Sequence, residues 1–478
     1  MSSLAAIGPG GAVAVLAMLV LVADMLWPRR ERMLAWLCAA GLAAVFLWTA
    51  SVGRAGTYLF GTVRVDGASV VFEQIVLVSA ALVVLLALET FQSIRWKAEY
   101  LAMLLFAASG AMFLASANEM LTLYVCLEVV TIAFFVLSSF CKDDPLSVEA
   151  GLKLYVQGFA SSAALVYGLS LLYGLTGSTT IPVIARYLAG GAGSAGIASN
   201  PVALLAAVMV IAGLAFKLSV VPFHMWVPDV YQGAPTPVTA YLSVASKAAG
   251  FIAAGRLVLP SLLGLHTELS ALLGAIALIT MTFGNLVAIW QTNLKRMLAY
   301  STIAHAGYLL LGLVMWNAKG MGALMFYLIV YLFANILAFA VILAISSETG
   351  SEEIQAYGGL LRRSPFLCLA MTAALLSLGG IPPLAGFVGK FYLFASAAGE
   401  GYILLAAAGV VNTLISMYYY IRVVREMFWG EGIHRRIAVP LGISLVVWLC
   451  LIALLALGLF PNSLLATVTS AAAGMFPA

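Results

Sequence analysis

Four lysines and one glutamate lie inside apolar segments long enough to cross a bilayer: Glu128, Lys153, Lys217, Lys247 and Lys390. An ionisable side chain at the bilayer centre costs about 3 kcal/mol on insertion scales, so such groups face a bundle interior or a wet cavity and mark an ion or proton path. Both residue types gain and lose a proton. Desolvation disfavours the charged form and an opposite charge nearby restores it. Glu128, in LYVCLEVVTIAFF, and Lys217, in AGLAFKLSVVPFHMWVPD, could hold each other charged. If the carboxylate moved, the lysine would become a switch that keeps or releases its proton; a static structural ion pair is the plain alternative.

Lys247, in TAYLSVASKAAGF, has no carboxylate within reach on its own helix, and the small residues around it leave room for water or close helix approach. It reads as a proton-relay lysine, the alternative being a packing lysine bonded to carbonyls. Lys390, in GGIPPLAGFVGKFYLF, follows a proline break whose freed carbonyls can solvate a cation or hold water. Snorkelling to the outer interface is the alternative there, and it is easier for Lys153, which lies one turn into its span. His305, in STIAHAGYLL, titrates in the physiological range and suits a bridge between lysines, although a histidine on an apolar helix also occurs as hydrogen-bonded core. His224 and Asp229 are expected to cap frayed helix ends. Glu73 and Glu89 are expected at the interface, and Tyr418, Tyr419 and Tyr420 in an aromatic belt.

The elements that position these groups are membrane helices. Hydrophobic residues make up 64% of the 478-residue chain and charged residues 9%, against about 25% charged in soluble domains. Apolar runs of span length follow one another from end to end, about fourteen in all. The expectation is an all-α integral membrane protein forming a single polytopic domain over 1–478. Two long runs carry internal breakers, Pro222 and Pro228 in the first and Pro382 and Pro383 in the second. Proline removes a backbone donor and clashes with the preceding turn, so both helices are predicted to break mid-membrane. Two blocks of five spans, 98–259 and 269–428, are nearly equal in length, and each has its broken helix fourth. Five crossings per block invert the second copy relative to the first, which is the inverted-repeat plan of many transporters.

Loop charges set the orientation. One side carries five Lys and Arg residues (Arg54, Arg64, Arg186, Arg256, Lys319) and the other fourteen, which puts both termini on the outer side. The Gly- and Ser-rich stretch 176–200 reads as a flexible outer connection, and 347–364 as a solvated inner loop. The net charge of +4 comes from these loops and does not indicate nucleic acid. The five cysteines form no C-x-x-C pair and the four histidines are dispersed, so neither a metal site nor a cofactor is expected in this chain.

The run VVPFHMWVPDVYQGAPTPVTAYLSVASK (220–247) resembles the antiporter-like subunits of respiratory complex I, and in the form DVYQGAPTPVTAYLS it is most similar to subunit N. NLKRMLAYSTIAHAGYLLLG (293–312) and LSLGGIPPLAGFVGKFYLF (376–394) are also similar to subunit N. The resemblance implies a proton-translocating membrane subunit of a bacterial NADH:quinone oxidoreductase in the cell inner membrane. Its partners would be the other membrane and peripheral subunits, and NADH, FMN, iron–sulfur clusters and quinone would all be handled there. By the same resemblance Glu128 is the carboxylate that modulates Lys217, Lys247 the central relay lysine, Lys390 the lysine near the exit, and His305 a bridge between the halves. A subunit of a multisubunit cation/proton antiporter and a structural scaffold subunit stay open as alternatives.

Overall fold

The protein is described by a computed structural model covering residues 3–27, 30–51, 55–91, 94–189, 200–430 and 437–476, with side chains described from residue 8. It is helical almost throughout. In chain order the helices are α1 (Ser3–Leu26), α2 (Glu31–Ser51), α3 (Gly67–Ala87), α4 (Lys97–Ala115), α5 (Met120–Ser138), α6 (Pro145–Thr176), α7 (Ile181–Leu188), α8 (Pro201–Leu218), α9 (Trp226–Gly233) and α10 (Thr236–Ser261). They continue as α11 (His266–Ala288), α12 (Leu294–Val314), α13 (Ala318–Thr349), α14 (Leu360–Arg363), α15 (Pro365–Gly379), α16 (Ala385–Gly399), α17 (Ile403–Trp429), α18 (Leu441–Leu459) and α19 (Asn462–Ala473). Among the described residues thirteen helices are long and apolar enough to cross a membrane. The α15–α16 pair supplies a fourteenth crossing in two pieces, in keeping with the sequence expectation.

Burial sorts the helices into an enclosed set and a rim. The apolar windows of α10 and α12 are 94% buried and that of α13 is 89% buried, whereas those of α2, α17 and α18 are only 33% buried. A helix that is apolar all round and enclosed all round belongs to the centre of the bundle. Lys247 is on α10 and His305 on α12, so two of the candidate residues ride on the most enclosed helices of the protein.

Both predicted breaks are present. Between α8 and α9 the chain leaves the helix at Ser219 (φ 64°) and passes through Pro222. Pro228, expected to break the helix as well, lies in the first turn of α9, where a missing N–H removes no intrahelical bond. Between α15 and α16 the chain turns at Gly380 (φ 82°) and passes through Pro382 and Pro383.

The two five-helix blocks share detail that their lengths alone do not convey. The third helix of each, α6 and α13, has 32 residues and ends in the same Thr-Gly-Ser motif. The glycines have nearly equal left-handed dihedrals, Gly177 (65°, 12°) and Gly350 (66°, 11°). Thr176 and Thr349 each bond the carbonyl four residues back and the one two residues on. Beyond the motif, Thr180 bridges to Glu119 at the head of α5, and Glu353 bridges to Asn293 at the head of α12.

Several connections are more ordered than the composition suggests. The first part of the Gly- and Ser-rich stretch forms α7, which buries Ile181, Ile184 and Leu188; its residues 190–199 lie outside the described set. Residues 56–58 and 63–65 form a small hairpin, and α19 packs on α13 and α3. Within 347–364, Glu352 pairs with the buried Lys295 at 2.6 Å and Arg363 donates to the Ala356 carbonyl. Arg256 is no loop charge. It is buried on α10 and makes a two-point pair with Asp66, both contacts 2.6 Å. Glu73, expected at the interface, is buried inside α3.

Candidate functional site

The intramembrane charges sit in two connected groups. In the first, α5 presents Glu128 and Thr131 towards Lys217 at the end of α8. The Glu128 carboxylate is 3.8 Å from Lys217 Nζ, too long for a hydrogen bond. Each partner is instead held by a hydroxyl. Lys217 donates to Thr131 Oγ1 at 2.5 Å, and Ser162 of α6 donates to Glu128 Oε1 at 2.6 Å. Lys217 is buried, while the Glu128 side chain is 20% exposed at the rim of the bundle. The pair is therefore an electrostatic contact whose two ends are tethered separately.

The break after α8 connects this pair to Lys247. Ser219, in its left-handed conformation, turns its hydroxyl onto Lys247 Nζ at 2.6 Å, two residues after Lys217. Ser246 lies 3.4 Å from the same nitrogen. The indole of Trp226, at the head of α9, lies under the ammonium with its centroid 4.9 Å away, and the Tyr231 ring is 6.0 Å away. A desolvated cation over an indole gains about 2 kcal/mol. Among the described residues no carboxylate pairs with Lys247. A cavity of about 30 Å³ lies between Lys217, Thr131, Trp226, Ser246 and Gly250. It is large enough for a water, which needs roughly 10–15 Å³ by this kind of measure. Gly250 makes the approach possible, since a Cβ there would lie 3.3 Å from the Lys217 carbonyl.

The second group surrounds His305 and Lys390. His305 Nδ1 is 2.6 Å from the Tyr327 hydroxyl on α13, and Nε2 is 3.3 Å from the Tyr420 hydroxyl on α17. Tyr420 also bonds Ser301 at 2.5 Å, and Tyr331 donates to Thr302 at 2.8 Å. Lys390, on α16, is 3% exposed; its Nζ stands 4.9 Å from the centroid of the Tyr308 ring and has no hydrogen-bond partner among the described residues. The Lys390 stem runs past Gly380, where a Cβ would be 3.2 Å from its Cδ. Tyr308 in turn accepts from Asn285, which joins Asn412 and Tyr419. Tyr419 and Tyr420 were expected in an interfacial belt. Both are fully buried in this network, and only Tyr418 faces outwards.

Lys153 belongs to neither group. It is partly exposed near the start of α6, bonded to Asp229 at 2.5 Å and to Glu149 at 2.7 Å. Asp229 also takes Arg296 at 2.7 Å. Its role is a cross-link from α9 to α6 and α12, and no helix cap is formed. His224, the other expected cap, packs edge-on against Phe283. Beside the Asp229 cluster an open pocket of about 820 Å³ reaches the head of α10, lined in part by Arg95, Lys142, Asp143, Lys295 and Glu352.

The family described as NADH:quinone oxidoreductase/Mrp antiporter, TM, matches residues 117–416. NADH-quinone oxidoreductase subunit N of Moorella thermoacetica is 42% identical over 456 residues, 94% of each chain. The protein of the same name from Heliobacterium modesticaldum is 45% identical over 86% of each chain. The chain belongs to the NADH-quinone oxidoreductase subunit N family. A chain of Thermus thermophilus respiratory complex I overlays it with a TM-score of 0.82 at 33% identity, over 97% of this chain and all of that one. A chain of the Mrp complex from Dietzia shares the fold (TM-score 0.86, covering 99% and 98%) at 21% identity. The family match takes in Glu128, Lys217, Lys247, His305 and Lys390 together with both breaks.

Proposed function

We propose that this multi-pass subunit translocates protons within an NADH:quinone oxidoreductase, from the cytoplasm to the periplasm. Both termini then lie in the periplasm of the inner membrane, and 98–259 and 269–428 act as inverted repeats. Redox chemistry on NADH, FMN, iron–sulfur clusters and quinone takes place in partner subunits, and its energy reaches this chain by displacing Glu128 relative to Lys217. Lys217 then passes a proton by way of the small cavity to Lys247, and the His305 cluster delivers it to Lys390 for release. The pocket beside Lys295 and Glu352 supplies water from the inner side. Lys153, paired outside the two groups, steadies α9 and carries no proton.

One observation carries this reading. Lys247 and Lys390 are buried ammonium groups that no carboxylate pairs with among the described residues, each standing over an aromatic ring. A structural lysine at such depth is ordinarily paired. The test is NADH-driven proton pumping by assembled complexes carrying Lys217→Ala, Lys247→Ala or Lys390→Ala. Each is expected to lose most of its pumping. Normal pumping by all three would refute the relay.

A further inference from the structure

The two groups of the relay lie on different sets of helices, and no hydrogen bond between them joins Lys247 to His305 among the described residues. Tyr231 lies between them. It is on α9, immediately after the first break, and its ring is in contact range of the Lys247 ammonium. The side chain is fully enclosed, and its hydroxyl makes no close hydrogen bond, only a looser approach to the Thr302 hydroxyl. A buried hydroxyl without a close partner is costly, and one retained in a packed interior needs an explanation. The groups facing it are Thr302 and Tyr331, on α12 and α13 of the second block. These two are already bonded to each other at 2.8 Å, and the Tyr331 ring lies 5.2 Å from the His305 ring. Tyr331 also neighbours Tyr327 and Tyr420, which hold the two nitrogens of His305.

We infer that the Tyr231 hydroxyl is the connecting group between the two halves, passing protons from the Lys247 side to the Thr302–Tyr331 pair. This rests on the proton-relay reading above. A proton arriving on an Oη lone pair is matched by departure of the hydroxyl's own proton to Thr302 Oγ1 or Tyr331 Oη, and rotation about the C–O bond resets the group. No bond other than O–H forms or breaks, and tyrosine stays neutral before and after. The looseness of this contact is what leaves the hydroxyl able to rotate. A hydroxyl locked to one acceptor would have to break that bond on every cycle.

The test uses the whole complex in proteoliposomes, with proton pumping and NADH oxidation measured side by side. Tyr231→Phe removes one oxygen that holds no close hydrogen bond, so assembly is expected to be normal while pumping falls about tenfold, less than a fully positioned proton donor is worth because water can partly substitute. Tyr241→Phe, which deletes another buried and unbonded hydroxyl on α10, controls for loss of polarity and should leave both rates unchanged. If Tyr231→Phe fails to assemble, Thr302→Val removes the receiving hydroxyl from the other side and must give the same pumping defect. Normal pumping in assembled Tyr231→Phe, or in Thr302→Val when that variant stands in, overturns the inference. Lys247→Ala in the same experiment separates the two levels. If it fails to pump while Tyr231→Phe pumps normally, the connection is wrong and the relay stands; if it also pumps normally, the relay itself is wrong.

Discussion

Asp66 and Arg256 form a buried two-point charge contact whose removal has a definite energetic cost. Asp66 caps α3, accepting from the Ser69 N–H at 2.9 Å while the Ser69 hydroxyl accepts from the Asp66 N–H. Arg256, on α10, meets both carboxylate oxygens at 2.6 Å and donates through Nε to the Ala115 carbonyl at 3.0 Å. Asp66→Asn keeps the size and the capping ability of the side chain, since Asn and Asp rank together at that position. What it removes is the counter-charge of a guanidinium that is only 6% exposed. Stranding one member of a buried pair costs about 3–5 kcal/mol. Arg64, 3.6 Å from the same carboxylate, leaves a second positive charge at the site, so at least the lower end applies. A large membrane complex denatures irreversibly, so the measurement is a half-life at fixed temperature. If the whole 3 kcal/mol appears in the barrier, the half-life shortens roughly 100-fold. The double variant Asp66→Asn with Arg256→Met removes the stranded charge and should recover most of the loss. Complexes that survive should pump as many protons per electron as before, since Arg256 is nine residues beyond Lys247 on α10, roughly 13 Å along the helix. An unchanged half-life in Asp66→Asn would refute the reasoning, as would a double variant no better than the single.

Two further changes probe the relay itself. Thr131→Val keeps shape but deletes the 2.5 Å bond to Lys217; it should slow NADH-driven pumping severalfold without loss of assembly, and an unchanged rate would show that the hydroxyl only fills space. Gly380→Ala places a methyl 3.2 Å from the Lys390 stem at a φ of 82°. The left-handed strain alone costs about 1–2 kcal/mol, so thermal half-life and pumping should fall together, whereas Gly350→Ala, at a left-handed φ of 66° with nothing within 4 Å of the added methyl, should leave pumping unchanged.

What the sequence disclosed was whatever chain distance and hydrocarbon length control. Fourteen crossings follow from the spacing of apolar runs, and the breaks follow from Pro222, Pro382 and Pro383. The partners of the charges were not disclosed, because helix rotation decides them. Tyr418, Tyr419 and Tyr420 are consecutive, and about 100° separates neighbours on a helix. One therefore faces outwards while the other two turn into the His305 network, and composition cannot say which. Thr131, Ser162 and Ser219 read as ordinary small polar residues until the packing of α5, α6 and α8 aims them at Glu128, Lys217 and Lys247. Arg256 was counted with the loops because it lies near the end of an apolar run. Only the enclosure of α10 on every side shows it to be internal. The paired Thr-Gly-Ser motifs at 176–178 and 349–351 are readable in the chain, a residue-level correspondence between the two blocks that span lengths alone do not convey.

The three buried lysines differ in what holds their charge. Lys247 rests on the Ser219 hydroxyl and the Trp226 ring and Lys390 on the Tyr308 ring, all neutral groups fixed by packing. Lys217 alone among the three relay lysines has a formal counter-charge nearby, and that charge is tethered by a single Ser162 hydrogen bond on the partly exposed edge of the bundle. At the observed 3.8 Å and an effective dielectric of 20, the attraction is about 4 kcal/mol; a retreat of 2 Å lowers it by about 1.5 kcal/mol. That is roughly a tenfold change in any equilibrium the pair controls. A displacement of that size needs only a rotamer change of one glutamate, and no helix need move. In the proposed relay, control is thus concentrated at the Glu128 edge, where a signal from outside the chain can reach it, and the deeper lysines follow.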